Sequence, residues 1–267
     1  MVPGGMCFDY DSRPPELPTD LVCRPIAGGA AAELLTLESD DGTSFSAALA
    51  QAPEGDDPGV VIIPDVRGLY PFYIELAERF AEAGHHAIVF DYYGRTVGLG
   101  PRDDEFDYGP HREQVKLDQA VDDLAAAAAE LRRRTGTGPP VTVGFCFGGS
   151  LSFVAGASPD LDLAGVVGLY GVLDPSRFDG RGVLTQAADI ERQVLGLFGG
   201  ADTAIPQEQI DEFESALSTA GVEHEIHVYP GAPHSFFDRK QEEFAEESED
   251  AWRRILGFLA KTRDRAA

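Results

Sequence analysis

The sequence predicts an α/β protein: a mostly parallel, doubly wound sheet flanked by helices, with an antiparallel hairpin at its N-terminal edge. Three observations predict it. From Gly59 onward, short continuous apolar runs recur at Val60 to Pro64, Ala87 to Asp91, Val141 to Phe145, Leu163 to Tyr170, Val194 to Phe198 and Glu225 to Tyr229. Such runs are the texture of strands buried on both faces. Segments with helical spacing lie between them, most clearly Leu117, Val121, Leu124, Ala128 and Leu131, which give a helix one apolar face. Ahead of all these, Glu33 to Glu38 and Phe45 to Ala50 flank the turn-rich Ser39-Asp40-Asp41-Gly42-Thr43, the pattern of a hairpin.

The remaining elements follow the same logic. Ile210, Phe213 and Leu217 come after Pro206, a residue favoured in a first helical turn, and Trp252, Ile255, Leu256 and Leu259 mark a last amphipathic helix. The alanine run 125 to 129 is good helix-forming sequence rather than low complexity. Residues 1–30, rich in Pro and Gly, are expected to form an extended lead-in over the body. Residues 31–267 are expected to form one domain, a length at which a single α/β core is sustainable. Alternating strands and helices place ligands at the carboxyl ends of the strands.

Composition excludes several functions. With 43% hydrophobic and 25% charged residues the chain is of ordinary folded character. The 46 acidic residues against 21 basic ones leave a net charge of -25, which argues against a nucleic-acid partner. The acidity reads as a solubility feature, and an anionic substrate would need local arginines to offset the field. Cys7, Cys23 and Cys146 show no CxxC spacing and are odd in number, which fits a reducing compartment. Met1-Val2-Pro3-Gly4-Gly5 lacks the basic start of a secretory signal, and nowhere do eighteen apolar residues follow one another. A cytoplasmic protein without a membrane partner is therefore expected, as a monomer or small homo-oligomer. His85, His86, His111, His224 and His227 have no acidic or cysteine partner at metal spacing, so no metal site is expected.

The chemistry concentrates in three loops. Val141-Thr142-Val143-Gly144-Phe145-Cys146-Phe147-Gly148-Gly149-Ser150 reads as strand, Gly-x-Cys-x-Gly, helix: a nucleophile elbow with Cys in place of Ser. The glycines let backbone approach closely around a strained central residue. The following helix N-terminus favours negative charge, and the Phe147 N–H is placed to donate to an oxyanion. A thiol gains from this setting, since a helix N-terminus and an imidazole favour the reactive thiolate. Further on, Leu195-Gly196-Leu197-Phe198-Gly199-Gly200-Ala201-Asp202 is a strand and a Gly-rich loop ending in an acid. Val228-Tyr229-Pro230-Gly231-Ala232-Pro233-His234-Ser235-Phe236 is a strand and a loop carrying a histidine. The order nucleophile, acid, histidine is that of the α/β-hydrolase fold. It predicts that Cys146 attacks a carbonyl, His234 moves the protons and Asp202 fixes the imidazole.

From about residue 33 to 260 the chain resembles the dienelactone hydrolase family. The likeness is most specific at Gly144-Phe145-Cys146-Phe147-Gly148-Gly149, Gly199-Gly200-Ala201-Asp202 and His234-Ser235-Phe236. The resemblance implies a cofactor-free enzyme that opens a small lactone through a thioester intermediate, which water then cleaves. It implies that Asp65, standing where the family has glutamate, takes the thiol proton, and that the Val66 N–H is the second oxyanion donor. It also implies arginines for a substrate carboxylate: Arg102 or Arg112 before the long helix, Arg239 after His234, displaced by one position, and Arg67 at the mouth as a substitute. Tyr70, Tyr92 and Tyr93 follow predicted strand ends and are candidates to line the pocket.

Three readings follow. The first is a thiol-dependent hydrolase of a small anionic lactone or ester. The second is a broader carboxylesterase or thioesterase with a different acyl substrate, and the third a binding protein that keeps the scaffold without turnover.

Overall fold

The computed structural model describes residues 13–22, 31–53 and 55–266. The strands are β1 (Glu33–Glu38), β2 (Ser44–Ala50), β3 (Asp56–Ile63), β4 (His85–Phe90), β5 (Val141–Phe145), β6 (Gly165–Leu169), β7 (Gln193–Gly199) and β8 (His224–Tyr229). They form one eight-stranded sheet in the order β1-β2-β4-β3-β5-β6-β7-β8. The hairpin β1–β2 and the β2–β4 pair are antiparallel, and every other neighbouring pair is parallel. Helices α1 (Pro71–Glu82), α2 (Gly94–Val97), α3 (Gly109–Arg112), α4 (Leu117–Thr135), α5 (Phe147–Ala155), α6 (Arg177–Gly180), α7 (Val183–Gln186), α8 (Gln207–Ala220) and α9 (Ala245–Ala266) complete the body.

The central strands β4, β5 and β6 are buried along their whole length, as their unbroken apolar runs require. Helix α4 buries Leu117, Leu124, Ala128 and Leu131, although Val121 is only partly covered. Several strand boundaries differ from the sequence pattern, those of β3 and β6 among them. Strand β3 begins at Asp56, because its first residue pairs with His85 before a register shift that leads to Val60. Strand β6 stops at Leu169, since Tyr170 turns out of the ladder with φ 39°. His85 and His86 are buried in β4, where the His86 Nδ1 accepts the Ala52 N–H at 3.2 Å.

Of the lead-in, residues 13–22 lie against the last helix. Leu17 is buried, Trp252 Nε1 donates to the Pro15 carbonyl at 3.1 Å, and Arg253 pairs with Asp20 at 2.7 Å. The rest of residues 1–30, including Cys7 and Cys23, lies outside the described residues.

The elbow between β5 and α5 is the tightest packing in the sheet. A Cβ on Gly148 would fall well inside contact of the Ile63 and Pro64 carbonyl oxygens, and one on Gly144 would strike the Gly148 carbonyl. Helix α5 therefore starts directly against the end of β3. Gly148→Ala is expected to lower stability by about 2 kcal/mol, the scale of overpacking a closed interior. Urea midpoints of variant and parent would measure it, and equal midpoints would contradict the close approach.

Candidate active site

The carboxyl ends of the parallel strands gather the predicted residues. Cys146 directly follows β5, Asp202 lies three residues past β7, and His234 lies five past β8. Cys146 has φ 53° and ψ -109°, a conformation that non-glycine residues reach only under strain, which is worth about 1–3 kcal/mol. Its N–H donates to the Leu169 carbonyl at 3.0 Å, pinning the turn to β6, and its carbonyl accepts the Ser150 N–H at 3.1 Å. Cys146 is partly exposed, while Phe147 beside it is buried.

Asp202 is buried and uses its two oxygens separately. Oδ1 accepts the Ala204 N–H at 2.9 Å, and Oδ2 lies 2.6 Å from His234 Nδ1. A proton on Nδ1 follows, which leaves Nε2 for the sulfur. Burial opposes a charge on His234, but hydrogen bonds to Asp202 and Cys146 and the charges of both groups raise its pKa to about 10. The Tyr170 ring packs against the imidazole at 5.0 Å, and the Tyr170 hydroxyl is buried without a hydrogen-bond partner among the described residues. Cys146, Tyr170 and Ser235 all carry positive φ, so backbone strain collects around this centre.

The two expected oxyanion donors lie on neighbouring segments at the carboxyl end of the sheet. Phe147 opens α5, and Val66 lies in the turn after β3, against which α5 is packed. Neither N–H has a hydrogen-bond partner among the described residues.

The arginines are where structure and expectation part. Arg102 is buried; it pairs with Asp91, donates to the Gly98 carbonyl at 2.6 Å and lies over the Phe106 ring, so it holds the loop rather than a substrate. Arg67 is buried between Asp65 and Asp238 and is not at the mouth. Asp65, expected at the thiol, has its carboxylate bonded to Arg67. Tyr70 is likewise buried, donating to Asp104 at 2.6 Å and packing on Arg67. Desolvation of Arg67 and Arg102 is tolerable only because a carboxylate meets each of them. Arg239 donates to Ser235 Oγ at 2.9 Å, near the histidine loop.

Arg112 does reach open space. It lines a cavity of about 640 Å³ that also touches Tyr92 and Phe147, the residue next to the sulfur. Arg177, at the start of α6, lines the same cavity and was not singled out by the sequence. Its signal is its place just past a strand end, where α/β proteins bind ligands. Burial draws the Arg177 guanidinium below its ordinary pKa; the charges of Cys146 and Asp174 partly offset this, while the like charge of Arg112 adds to it. Arg79, Arg95, Arg134, Arg253 and Arg254 all sit in ion pairs, whereas among the described residues Arg112 and Arg177 sit in none.

Among the described residues no group of three or more potential ligands could hold a metal, and no helix is long and apolar enough to cross a membrane.

Comparison with known proteins gives the chain's relatives. A family model described as "Dienelactone hydrolase family" matches residues 45–263. A Yersinia pestis protein named "Putative carboxymethylenebutenolidase" is 31% identical over 219 residues, covering 78% of this chain and 79% of its own length. A protein of the same name from Methylorubrum extorquens is 29% identical over 242 residues, with coverage of 87% and 82%. A solved structure from Klebsiella pneumoniae subsp. pneumoniae, described as a "Putative Dienelactone Hydrolase", superposes with a TM-score of 0.72 at 26% identity, over 85% of this chain and 99% of that one.

The raised pKa of His234 makes stability depend on pH. Its folded value of about 10 exceeds the unfolded value of roughly 6.5, so its contribution is complete below about pH 6.5 and is lost as pH rises toward 10. The difference in urea midpoint between the parent and His234→Gln is expected to shrink across that window. A difference that stays constant from pH 6.5 to 10 would contradict the assignment.

Proposed function

The chain belongs to the dienelactone hydrolase family and is a carboxylic ester hydrolase on an α/β fold, and from that premise we propose that Cys146 is its nucleophile and opens a small anionic lactone or ester through a thioester. The observation that carries this reading is the alignment of a strained, partly exposed Cys146 with an imidazole already bonded to Asp202 at 2.6 Å. Sulfur attacks the carbonyl carbon, and the oxyanion is received by the N–H groups of Phe147 and Val66. The C–O bond then breaks, and the leaving alkoxide takes its proton from His234. Water, deprotonated by His234, attacks the thioester, and the sulfur is released with its proton returned through the same imidazole. Asp202 keeps the ring in one tautomer throughout.

Arg112 and Arg177 support the anionic part of the reading. In a protein of net charge -25, an anion needs a local positive field, and these two residues supply it beside the nucleophile. The size of the cavity favours the second reading, an ester or thioester with a larger acyl group, because about 640 Å³ suits ligands larger than a small lactone.

Cys146→Ala is expected to reduce turnover at least roughly 1000-fold, and quenched reactions of the parent should carry an acyl mass on the Cys146 peptide. Parental turnover in the variant would end the thiol reading. Arg112→Gln and Arg177→Gln are each expected to raise KM for a carboxylate-bearing lactone about tenfold or more, while a neutral aryl ester changes less than about twofold. Equal effects on both substrates, or turnover of acyl thioesters alone, would favour the broader esterase or thioesterase.

A further inference from the structure

Arg67 joins two loops that lie far apart in the sequence. Its backbone N–H and Nε donate to Asp65 Oδ1 at 2.9 and 3.0 Å, its Nη2 lies 3.0 Å from Asp65 Oδ2, and the same Nη2 pairs with Asp238. Arg67, Asp65 and Asp238 are 5%, 2% and 1% exposed. The guanidinium is covered by the rings of Tyr70 at 4.8 Å and of Phe72 and Tyr73 at 5.5 Å. Burial opposes its charge, and Asp65 and Asp238 keep it charged nonetheless.

Each carboxylate stands beside a group that the hydrolysis uses. Asp65 precedes Val66, and Asp238 lies four residues past His234 in a loop where its N–H donates to the Ser235 carbonyl at 3.1 Å. The turn around Val66 is fixed at the backbone too. The Tyr92 hydroxyl and the Gly68 N–H both donate to the Asp65 carbonyl, and the Tyr93 hydroxyl donates to the Val66 carbonyl at 3.0 Å. In a trans peptide the N–H points opposite to the C=O, so the bonds that hold the Asp65 carbonyl also aim the Val66 N–H.

We propose that Arg67 is a positioning residue: by bridging Asp65 and Asp238 it locks the turn that aims the Val66 N–H to the loop that carries His234, and so fixes oxyanion donor and base relative to each other. This rests on the reading of Cys146, His234 and Val66 given above. It gives Asp65 a different part from the one the family resemblance implies. The carboxylate is the ligand of Arg67 and takes no proton from the thiol.

The test uses the full chain and two readouts. One is steady-state hydrolysis of a neutral p-nitrophenyl ester. The other is alkylation of Cys146 by iodoacetamide, which needs the sulfur and its imidazole but no oxyanion hole. Arg67→Gln, Asp238→Asn and Asp65→Asn are each expected to lower kcat roughly 100-fold, with KM within about threefold and the alkylation rate within about twofold of the parent. A buried pair that loses one partner can prevent folding, so Arg67→Lys serves as the second variant. It keeps the charge without the two-sided fork and is expected to recover only part of the lost kcat. Folded Arg67 and Asp238 variants with parental kcat overturn the proposal. So does an alkylation rate that falls as far as kcat, since the damage would then lie in the sulfur–imidazole pair. Parental turnover in Cys146→Ala would overturn the nucleophile reading and this proposal together, and it is told apart because it involves no change at Arg67.

Discussion

The architecture turns on one steric constraint: helix α5 begins against bare backbone at the end of β3, with no room for a Cβ at Gly148. That contact forces the chain to reverse within one residue, and Cys146 takes up the reversal at φ 53°. Strain at a single residue persists only when its surroundings over-determine it. Here the hydrogen bond from Cys146 to Leu169 and the packing of Phe147 against Tyr92 at 5.3 Å supply that determination. The same contact brings the first free N–H of α5 close to the turn after β3. The turn at Cys146 and the approach of Phe147 to the turn after β3 thus share one geometric origin.

Buried acidic side chains are treated differently from those on the surface. Acidic side chains dominate the sequence, yet those that are buried each meet a specific donor: Asp65 and Asp238 meet Arg67, Asp91 meets Arg102, Asp123 meets Arg95, and Asp202 meets His234. Pairing of this kind offsets desolvation and gives each loop one position. The cavity differs, because among the described residues Arg112 and Arg177 form no ion pair there, although the charge of Asp174 acts on Arg177.

What the sequence made legible was whatever depends on local rules. The elbow is readable because Gly-x-Cys-x-Gly follows from the sterics of one turn, and Asp202 and His234 because each follows the end of an apolar run. The hairpin was readable from the cluster Ser39 to Thr43. The arginines were not, because their parts depend on partners distant in the chain. Arg67 meets Asp238 across 171 positions, and nothing near either residue announces the other. Arg102 looks like an exposed loop residue until Asp91 is seen beneath it. Arg177 lies in a segment without periodicity, with Phe178 and Asp179 in left-handed conformations that no propensity foretells. The start of β3 was hidden for a related reason, since Asp56-Asp57-Pro58 resembles a loop and is drawn into the sheet by His85.

The contact between residues 13–22 and the last helix has a temporal meaning as well. Pro15 accepts its hydrogen bond from Trp252, and Asp20 its ion pair from Arg253, so these two anchors of the early stretch do not exist while the ribosome is still making the sheet. They become available only after synthesis has passed Arg253, which ties one of the first segments made to one of the last.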